Sequence, residues 1–374
     1  MPRKVAHHPP GGRSFVVQQP PDPSVITPGL WVEGDTILIL SGCMWRSCGG
    51  GQRPVALARA WAKRGLRVIY CNPCETGAQW AGGPLVVNPE TLKRLEPLLW
   101  QDKPGLVYCG LQAYWEIAKR YQGHGWTVVY DIMDDWRAFA KVGEAHYYRE
   151  PVERELLDQA DMLTCSAPAL EAYPHNGRHP ELIYSAGPSE PVRTCERPSD
   201  LVVGEQGTAL YLGYLVGDWF DWELLGRTAR ALPNVAFNLV GDNKGRFLKL
   251  PNVHCLGERP YPLAMQYVAH CDVGLVPFRH AKLCSAVDPI KLYDYIAGGC
   301  RVVASGVMTA LAGREWVHLA EKGARTLAPQ IEDALAAGRI KAAAASKWLR
   351  SNSWDARARR FCDLWHTYRE VMDR

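Results

Sequence analysis

The sequence predicts an α/β protein with two doubly wound, parallel-sheet domains, each Rossmann-like. Short apolar runs alternate with helical patterns in both halves of the chain, which is typical of parallel sheets covered by helices on both faces. A chain of 374 residues has room for two such cores. A stretch rich in proline and glycine, residues 187–206, indicates a linker between them.

Five segments are predicted along the chain. Residues 1–33 hold seven prolines and have no apolar period, which indicates a disordered arm. The first domain spans 34–186, the linker 187–206 and the second domain 207–350. Residues 351–374 form an amphipathic pattern that predicts a final helix packing toward the first domain.

In the first half, strands and helices alternate from residue 36 onward. The apolar run 36–40 predicts a buried strand, and the loop 41–52 after it contains three consecutive glycines. The further predicted strands are 67–70, 85–87, 106–108, 127–130, 161–164 and 182–184. The predicted helices are 54–64, 89–100, 111–121, 147–159 and 167–173.

The second half repeats this alternation. Its predicted strands are 209–212, 235–240, 253–256 and 272–278, and its predicted helices are 218–232 and 262–270. A short helix then follows Pro289, carries Lys291 and Asp294 on one face, and ends at Gly298 and Gly299 before a strand over 302–304. Ligands of α/β sheets bind at such corners, where a carboxylate can accept ribose hydroxyls and a lysine can bind phosphate.

This last run resembles the sugar-nucleotide signature of GT-B glycosyltransferases, which reads approximately Pro-x-Lys-x-Tyr-Glu-Tyr-x-Ala-x-Gly-x-Pro-Val-Val. The matching residues here are Pro289, Lys291, Tyr293, Tyr295, Ala297, Gly299, Val302 and Val303. Asp294 stands for the glutamate and Arg301 for the second proline, so the ribose-binding arm is one methylene shorter. The resemblance extends over about residues 205–305 and, more weakly, 36–186, and it implies the GT-B fold with a C-terminal helix that crosses back.

A GT-B resemblance implies a nucleoside-diphosphate sugar as donor, UDP- or GDP-linked, with no cofactor and no catalytic metal. Lys291, Asp294 and Asp288 are the main candidates for binding this donor, and Pro277 and Phe278 could wall the base. The loop after the first strand of the second domain could offer backbone N–H groups to the diphosphate. The remaining candidate donor-binding residues are Gly213, Lys244, Arg259 and Leu292.

The first domain is expected to bind the acceptor and supply the base. Its loop carries Gly49, Gly50, Gly51 and Arg53 but no histidine between residues 41 and 53. Ala286, eight residues before Asp294, breaks the Glu-x7-Glu pair of retaining relatives.

The candidate base is therefore a carboxylate, Asp135 or Asp134, with Asp131 beside them. Their run, Tyr-Asp-x-x-Asp-Asp-Trp, resembles the branch of xanthan-type glucuronosyltransferases and teichuronic-acid glycosyltransferases. In that branch an aspartate acts as base and the configuration inverts. The structural alternative for either residue is a helix N-cap.

Cysteine spacing offers one alternative site. Cys43 and Cys48 follow the first predicted strand and Cys71 and Cys74 the second, so four thiolates could bind zinc or an iron–sulfur cluster, although buried free thiols are the commoner outcome. Twelve cysteines without a secretion signal or an apolar span indicate reduced thiols in a cytoplasmic protein. The basic, aromatic tail could contact an anionic membrane at its inner face, or could be an ordinary packed helix.

The sequence predicts transfer of a sugar to a saccharide or lipid-linked acceptor. A sugar-nucleotide epimerase and a non-catalytic nucleotide-sugar-binding module are the alternatives on the same fold. A net charge of +4 without a concentrated basic arm gives little support for a nucleic-acid partner, and a DNA-base glucosyltransferase is accordingly a minor alternative.

Overall fold

A computed structural model of the chain describes residues 35–45, 52–173, 176–193, 196–215 and 217–374. These residues form two sheets, one in each half of the chain, with helices around both. The predicted arm, residues 1–33, lies outside the described residues. Among the described residues, no helix combines the length and the apolar content that a membrane span requires.

The first sheet has eight strands in the order β3-β4-β2-β1-β5-β6-β7-β8. All neighbours pair in parallel except β3, which runs antiparallel to β4 at the edge. The strands are β1 (Thr36–Leu40), β2 (Arg67–Cys71), β3 (Ala78–Trp80), β4 (Leu85–Val87), β5 (Leu106–Cys109), β6 (Thr127–Ile132), β7 (Met162–Cys165) and β8 (Glu181–Leu182).

The second sheet has six strands in the order β11-β10-β9-β12-β13-β14, and all of them are parallel. They are β9 (Gly207–Leu212), β10 (Val235–Val240), β11 (Val253–Gly257), β12 (Val273–Val276), β13 (Arg301–Ala304) and β14 (Val317–Leu319). Each sheet therefore has one edge at which the carboxyl ends of its parallel strands collect, and the loops at that edge can converge on a ligand.

Helices cover the sheets and connect their strands. Those of the first half are α1 (Arg53–Lys63), α2 (Pro89–Leu99), α3 (Trp115–Gly123), α4 (Trp136–Lys141) and α5 (Glu150–Gln159). Those of the second half are α6 (Trp222–Ala231), α7 (Tyr261–His270), α8 (Lys282–Ser285), α9 (Ile290–Ala297), α10 (Ala328–Ala337) and α11 (Ala342–Ser351), followed by α12 (Trp354–Met372).

Helix α9 is the predicted motif helix, and its ends are determined as expected. Pro289 precedes its first residue in an extended conformation. A side chain on Gly298 would come within 2.3 Å of Val268, so only glycine allows α9 to approach α7 this closely. Gly299 has φ +88°, and the chain turns directly into β13.

Helix α12 crosses back onto the first half of the chain, which confirms the predicted architecture. The side chains of Phe361 and Trp365 are fully buried beside α1. The indole N–H of Trp61 donates to the carbonyl of Ala358 at 3.0 Å. The aromatic face of the tail is thus occupied by the core of the protein itself.

Several elements differ from the predicted ones. β3, α8, β14, α10 and α11 were not predicted. The helix expected over 218–232 begins only at Trp222, because the Asp221 carboxylate caps it by accepting the N–H of Leu224 at 2.8 Å. The helix expected over 167–173 is a single 3₁₀ turn, Pro168–Leu170.

Candidate functional site

A cavity of about 680 Å³ lies between the two halves of the chain. It opens at the carboxyl ends of strands from both sheets: Met133 and Asp134 follow β6, Gly213 follows β9, and Gly241 follows β10. Aromatic rings from the two halves meet at its side, where Phe139 and Trp219 have centroids 6.0 Å apart. A cleft between two parallel sheets is where this architecture binds ligands.

Lys291 lines this cavity from the first turn of α9. Its Nζ lies 4.8 Å from the ring centroid of Tyr211 and 4.9 Å from that of Phe278, and it donates to the Tyr211 hydroxyl at 3.4 Å. Burial lowers the pKa of the ammonium to about 8, against the opposing influence of Asp294. An anionic ligand in the cavity would therefore find a poorly solvated cation, to which it can bind strongly.

Asp294 lines the same cavity one helical turn further on. Its side chain is almost completely buried, and its Oδ1 accepts a hydrogen bond from the hydroxyl of Tyr261 at 2.7 Å. Burial raises the pKa of the carboxyl to about 7, while the Tyr261 hydrogen bond and Lys291 act in the opposite direction. The cation and the carboxylate of the motif thus face the gap between the two sheets together.

Two glycines shape the floor beside Lys291. Gly213 has φ +132°, and a side chain there would come within 3.3 Å of the Lys291 Nζ. Its N–H already donates to the Val240 carbonyl at 2.9 Å, so this N–H is not available to a diphosphate. A side chain on Gly241 would lie 1.8 Å from the Gly213 carbonyl oxygen. Gly213 thus provides open space next to the cation, and Gly241 allows the close approach of the Gly213 backbone.

Asp288 also lines the cavity, but its carboxylate is used within the protein. It pairs with the Arg314 guanidinium at 2.9 Å and accepts hydrogen bonds from the Tyr293 hydroxyl at 2.7 Å and the Ser185 N–H at 2.8 Å. This carboxylate is buried: Oδ2 accepts both hydrogen bonds, while Oδ1 takes part only in the ion pair with Arg314. These contacts order the loop before α9.

The other predicted donor-binding residues divide into two groups. Phe278 and Arg259 line the cavity, although the Arg259 guanidinium also pairs with Asp200 at 2.7 Å. Leu292 is fully buried in the core of the second half, and Lys244 is exposed outside the cavity lining. Pro277 is not part of the lining either; its carbonyl accepts the N–H of Asp221.

Asp131, the first of the three candidate bases, is enclosed in the first half of the chain. Its carboxylate is fully buried and pairs with the Arg53 guanidinium at 2.6 Å. It also accepts hydrogen bonds from the hydroxyls of Tyr108 and Thr164. Because both carboxylate oxygens have partners, neither is free to accept a proton from a substrate. Asp131 instead holds in place Arg53, which lines the cavity.

Asp134 and Asp135 are adjacent but have different surroundings. Asp135 is the N-cap of α4, where its Oδ1 accepts the N–H of Ala138 at 2.9 Å, and it does not line the cavity. Asp134 lines the cavity, and burial raises the pKa of its carboxyl to about 7, with Arg53 opposing and Asp135 adding to the shift. A carboxyl group with a pKa near neutrality is suited to general base catalysis.

The glycine-rich loop and the four predicted cysteine ligands are only partly described by the structure. Gly49, Gly50, Gly51 and Cys48 lie outside the described residues. Of the other predicted cysteine ligands, Cys43 is half-buried, Cys74 is exposed, and the pKa of Cys71 is raised to about 12 by burial. Within the described ranges, no group of three or more His, Cys, Asp or Glu side chains is arranged to hold a metal ion.

Sequence reasoning missed several residues of the cavity. Tyr261, Trp219, Tyr214 and Glu258 line it, and none was predicted. Tyr261 and Glu258 flank Arg259 and Pro260 at the end of β11, so the strand-end rule that selected Arg259 could also have found them.

Comparisons with known proteins bear on the fold of the chain. No protein-family model matches the sequence. The chain is 24% identical over 238 residues to a putative teichuronic acid biosynthesis glycosyltransferase, TuaH, of Bacillus subtilis strain 168. That alignment covers 56% of this chain and 55% of the relative, so the chain spans about half the length of the curated relative. The predicted resemblance to the teichuronic-acid branch is thereby confirmed.

Solved structures match nearly the whole chain. The Anabaena protein Alr3699/HepE in complex with UDP-glucose superposes with a TM-score of 0.59 at 16% identity, over 89% of this chain and 99% of that one. AviGT4, a glycosyltransferase involved in avilamycin A biosynthesis, gives 0.57 at 14% identity, over 91% and 98% of the two chains. The chain has the GT-B fold. In this GT-B architecture the cavity described above lies in the cleft between the two Rossmann-like halves, and Lys291 and Asp294 face it.

Proposed function

We propose that the chain is a glycosyltransferase that moves a sugar from a nucleoside-diphosphate donor, UDP- or GDP-linked, to a saccharide or lipid-linked acceptor. The observation that carries this proposal is that Lys291 and Asp294 on one side, and Asp134 on the other, line one cavity between the two sheets. The similarity to TuaH and the UDP-glucose complex of the Anabaena protein support the assignment.

The donor is assigned to the side of the cavity formed by the second half of the chain. Asp294 would accept the ribose hydroxyls, and Lys291, with space beside it at Gly213, would bind the diphosphate. Phe278 would then contact the donor beside the ammonium, since its ring centroid is 4.9 Å from the Lys291 Nζ. Lys291 is desolvated before the donor arrives, so it can stabilise the charge that develops on the leaving phosphate.

The base is assigned to Asp134. Its carboxylate would take the proton of the acceptor hydroxyl while the hydroxyl oxygen attacks the anomeric carbon. The bond between that carbon and the phosphate oxygen breaks on the opposite face, its electron pair leaves with the nucleoside diphosphate, and the configuration inverts. Asp135 and Asp131 are less suited, because one caps α4 and the other is paired with Arg53.

The proposal also includes a peripheral contact with an anionic membrane, limited to the exposed face of α12. Phe361 and Trp365 of α12 are buried, so only its exposed basic face, which includes Arg359 and Arg360, is available to lipid headgroups. Salt-sensitive co-sedimentation with vesicles containing anionic lipid, and not with neutral vesicles, is expected. Equal recovery with both kinds of vesicle would remove this part of the proposal.

The deciding experiment combines binding with turnover. A panel of UDP- and GDP-sugars is screened by thermal shift, since a ligand that binds the native state raises the melting temperature. The donor that binds is then incubated with candidate acceptors, and release of the nucleoside diphosphate is measured with wild type and with Asp134→Asn. A glycosyltransferase releases it faster with an acceptor present. An epimerase converts the donor without an acceptor, and a binding module does neither.

A further inference from the structure

Tyr261 has a role that the proposed function does not include. It is the first residue of α7, and its hydroxyl donates to the Asp294 Oδ1 at 2.7 Å, across a sequence separation of 33 residues. The tyrosine itself lines the cavity. Within the described part of the chain, Asp294 Oδ2 has no hydrogen-bond partner, so one oxygen is held and the other is left open.

Ribose presents two hydroxyl groups, and an ionised carboxylate accepts hydrogen bonds at both oxygens, whereas the protonated group uses one oxygen as a donor. The charged form of Asp294 is costly, because its side chain is only 3% exposed. A hydrogen bond donated to the carboxylate favours that charged form, and Tyr261 donates one. The tyrosine therefore opposes the effect of burial on the group that has to bind ribose.

Few ionisable groups face Asp294 in this part of the structure. Lys291 and Tyr295 lie on the same helix, α9, and Tyr261 reaches it from α7. Arg59 of α1 acts on Tyr261 from the first half of the chain. Lys291 also favours the ionised carboxylate, but the two side chains form no ion pair within 4.0 Å among the described contacts. Tyr261 is thus the direct partner.

We infer that Tyr261 is a positioning residue, which holds the Asp294 carboxylate in the orientation and charge state that accept the ribose hydroxyls of the donor. This inference rests on the proposed function, because it requires a ribose-containing donor at Asp294. The side chain of an aspartate is one methylene shorter than that of a glutamate, so its orientation matters more for reaching both hydroxyls. The hydrogen bond from Tyr261 fixes that orientation.

The test compares ribose with deoxyribose. Dissociation constants are measured for UDP and 2′-deoxy-UDP, and for the corresponding guanosine pair, with wild type and with Tyr261→Phe. Wild type is expected to prefer the ribonucleotide by at least about tenfold, as for a hydrogen bond to a charged group. Tyr261→Phe removes a hydrogen bond to the ionised carboxylate and so raises the pKa of Asp294 above the wild-type value of about 7. The ratio for the variant is therefore expected to be severalfold lower than the wild-type ratio just above pH 7, and to recover at higher pH.

A matched control removes the same kind of hydrogen bond elsewhere. The Tyr368 hydroxyl on α12 donates to Asp161 at 3.1 Å, away from the cavity, so Tyr368→Phe should leave the ratio unchanged. Asp294→Asn is the second variant: it keeps the shape of the side chain and should lose the preference at every pH. It keeps the inference testable if Tyr261→Phe folds poorly, because a preference that survives in Asp294→Asn shows that the carboxylate does not select ribose.

The outcomes separate two failures. If wild type binds none of the four nucleotides, the proposed function fails. If wild type prefers ribose but Tyr261→Phe weakens both nucleotides of a pair equally at every pH, the tyrosine only packs α7 against α9, and the inference is overturned. A Tyr261→Phe variant that keeps the wild-type ratio at all pH values also overturns it.

Discussion

The carboxylate of Asp288 accepts the backbone N–H of Ser185 at 2.8 Å. Ser185 belongs to the segment that leaves the first sheet after β8, and Asp288 lies in the loop before α9. The same carboxylate pairs with Arg314, whose side chain is 16% exposed. This one buried group therefore joins the first half of the chain to the motif that carries Lys291. These contacts give it a structural role, and it also lines the cavity in which the sequence placed it among the donor-binding residues.

Asp288→Ala is expected to destabilise the protein by about 3–5 kcal/mol, because it leaves the Arg314 guanidinium buried without its partner. The measurement is the shift of the urea midpoint. The control is Glu190→Ala, whose pair with Arg350 is exposed on both sides and should contribute no more than about 1 kcal/mol. Equal effects of the two substitutions would show that Asp288 is not a structural link.

Asp134→Asn is expected to lower the rate of sugar transfer about 10²- to 10⁴-fold without weakening donor binding, because only the proton acceptor is lost. Asp135→Asn is the matched control, since asparagine caps a helix as well as aspartate does and the α4 N-cap would be kept. Steady-state rates and donor affinities of both variants are compared. Loss of transfer in Asp135→Asn, with Asp134→Asn active, would reverse the assignment of the base.

The motif helix was predictable from sequence because its determinants are local. Pro289 precedes it, Gly298 and Gly299 end it, and the three-residue spacing of Lys291 and Asp294 places both on one face. The hydroxyl that holds Asp294 comes from Tyr261 on another helix. No period in the sequence shows such a contact, because it depends on how α7 and α9 pack.

The three candidate bases show what local sequence patterns do not predict. A strand over 127–130 was expected, but β6 continues to Ile132 and includes Asp131. Its side chain is buried there against Arg53 of α1, a partner 78 residues away in sequence. Asp134 and Asp135 follow in the loop, and which of them caps α4 depends on backbone angles at the strand end. The run of acids therefore indicated the segment in which we propose the base, but local rules do not select one residue of it.

Donor affinity is expected to depend on pH with limits at about 7 and about 8. As the pH falls through about 7, Asp294 gains a proton and loses an acceptor for the ribose. As the pH rises through about 8, Lys291 loses its proton and its attraction for the diphosphate. Affinity should therefore be highest between these values.

This pH dependence is measured by calorimetric titration with UDP-glucose, whose phosphates stay ionised over this range. Lys291→Met is expected to remove the alkaline limit only, and Asp294→Asn the acid limit only. An affinity that stays constant from acid to alkaline pH would show that neither group contacts the donor.

Gly241→Ala is expected to reduce donor affinity at least about tenfold, a loss of about 1.4 kcal/mol. Its new methyl group would lie 1.8 Å from the Gly213 carbonyl oxygen, so the Gly213 loop must move relative to Lys291. The control is Gly245→Ala: this residue also has positive φ, +77°, but nothing lies within 4 Å of the added carbon. Its backbone strain costs about 1–2 kcal/mol of stability.

The two glycine variants are compared by thermal melting with and without UDP-glucose. Gly245→Ala should melt at a lower temperature but keep the full upward shift on adding the donor. Gly241→Ala should lose most of that shift even where its own melting temperature remains high, because displacing the Gly213 loop changes the space beside the Lys291 ammonium. A full shift in Gly241→Ala would mean that the diphosphate lies elsewhere in the cleft.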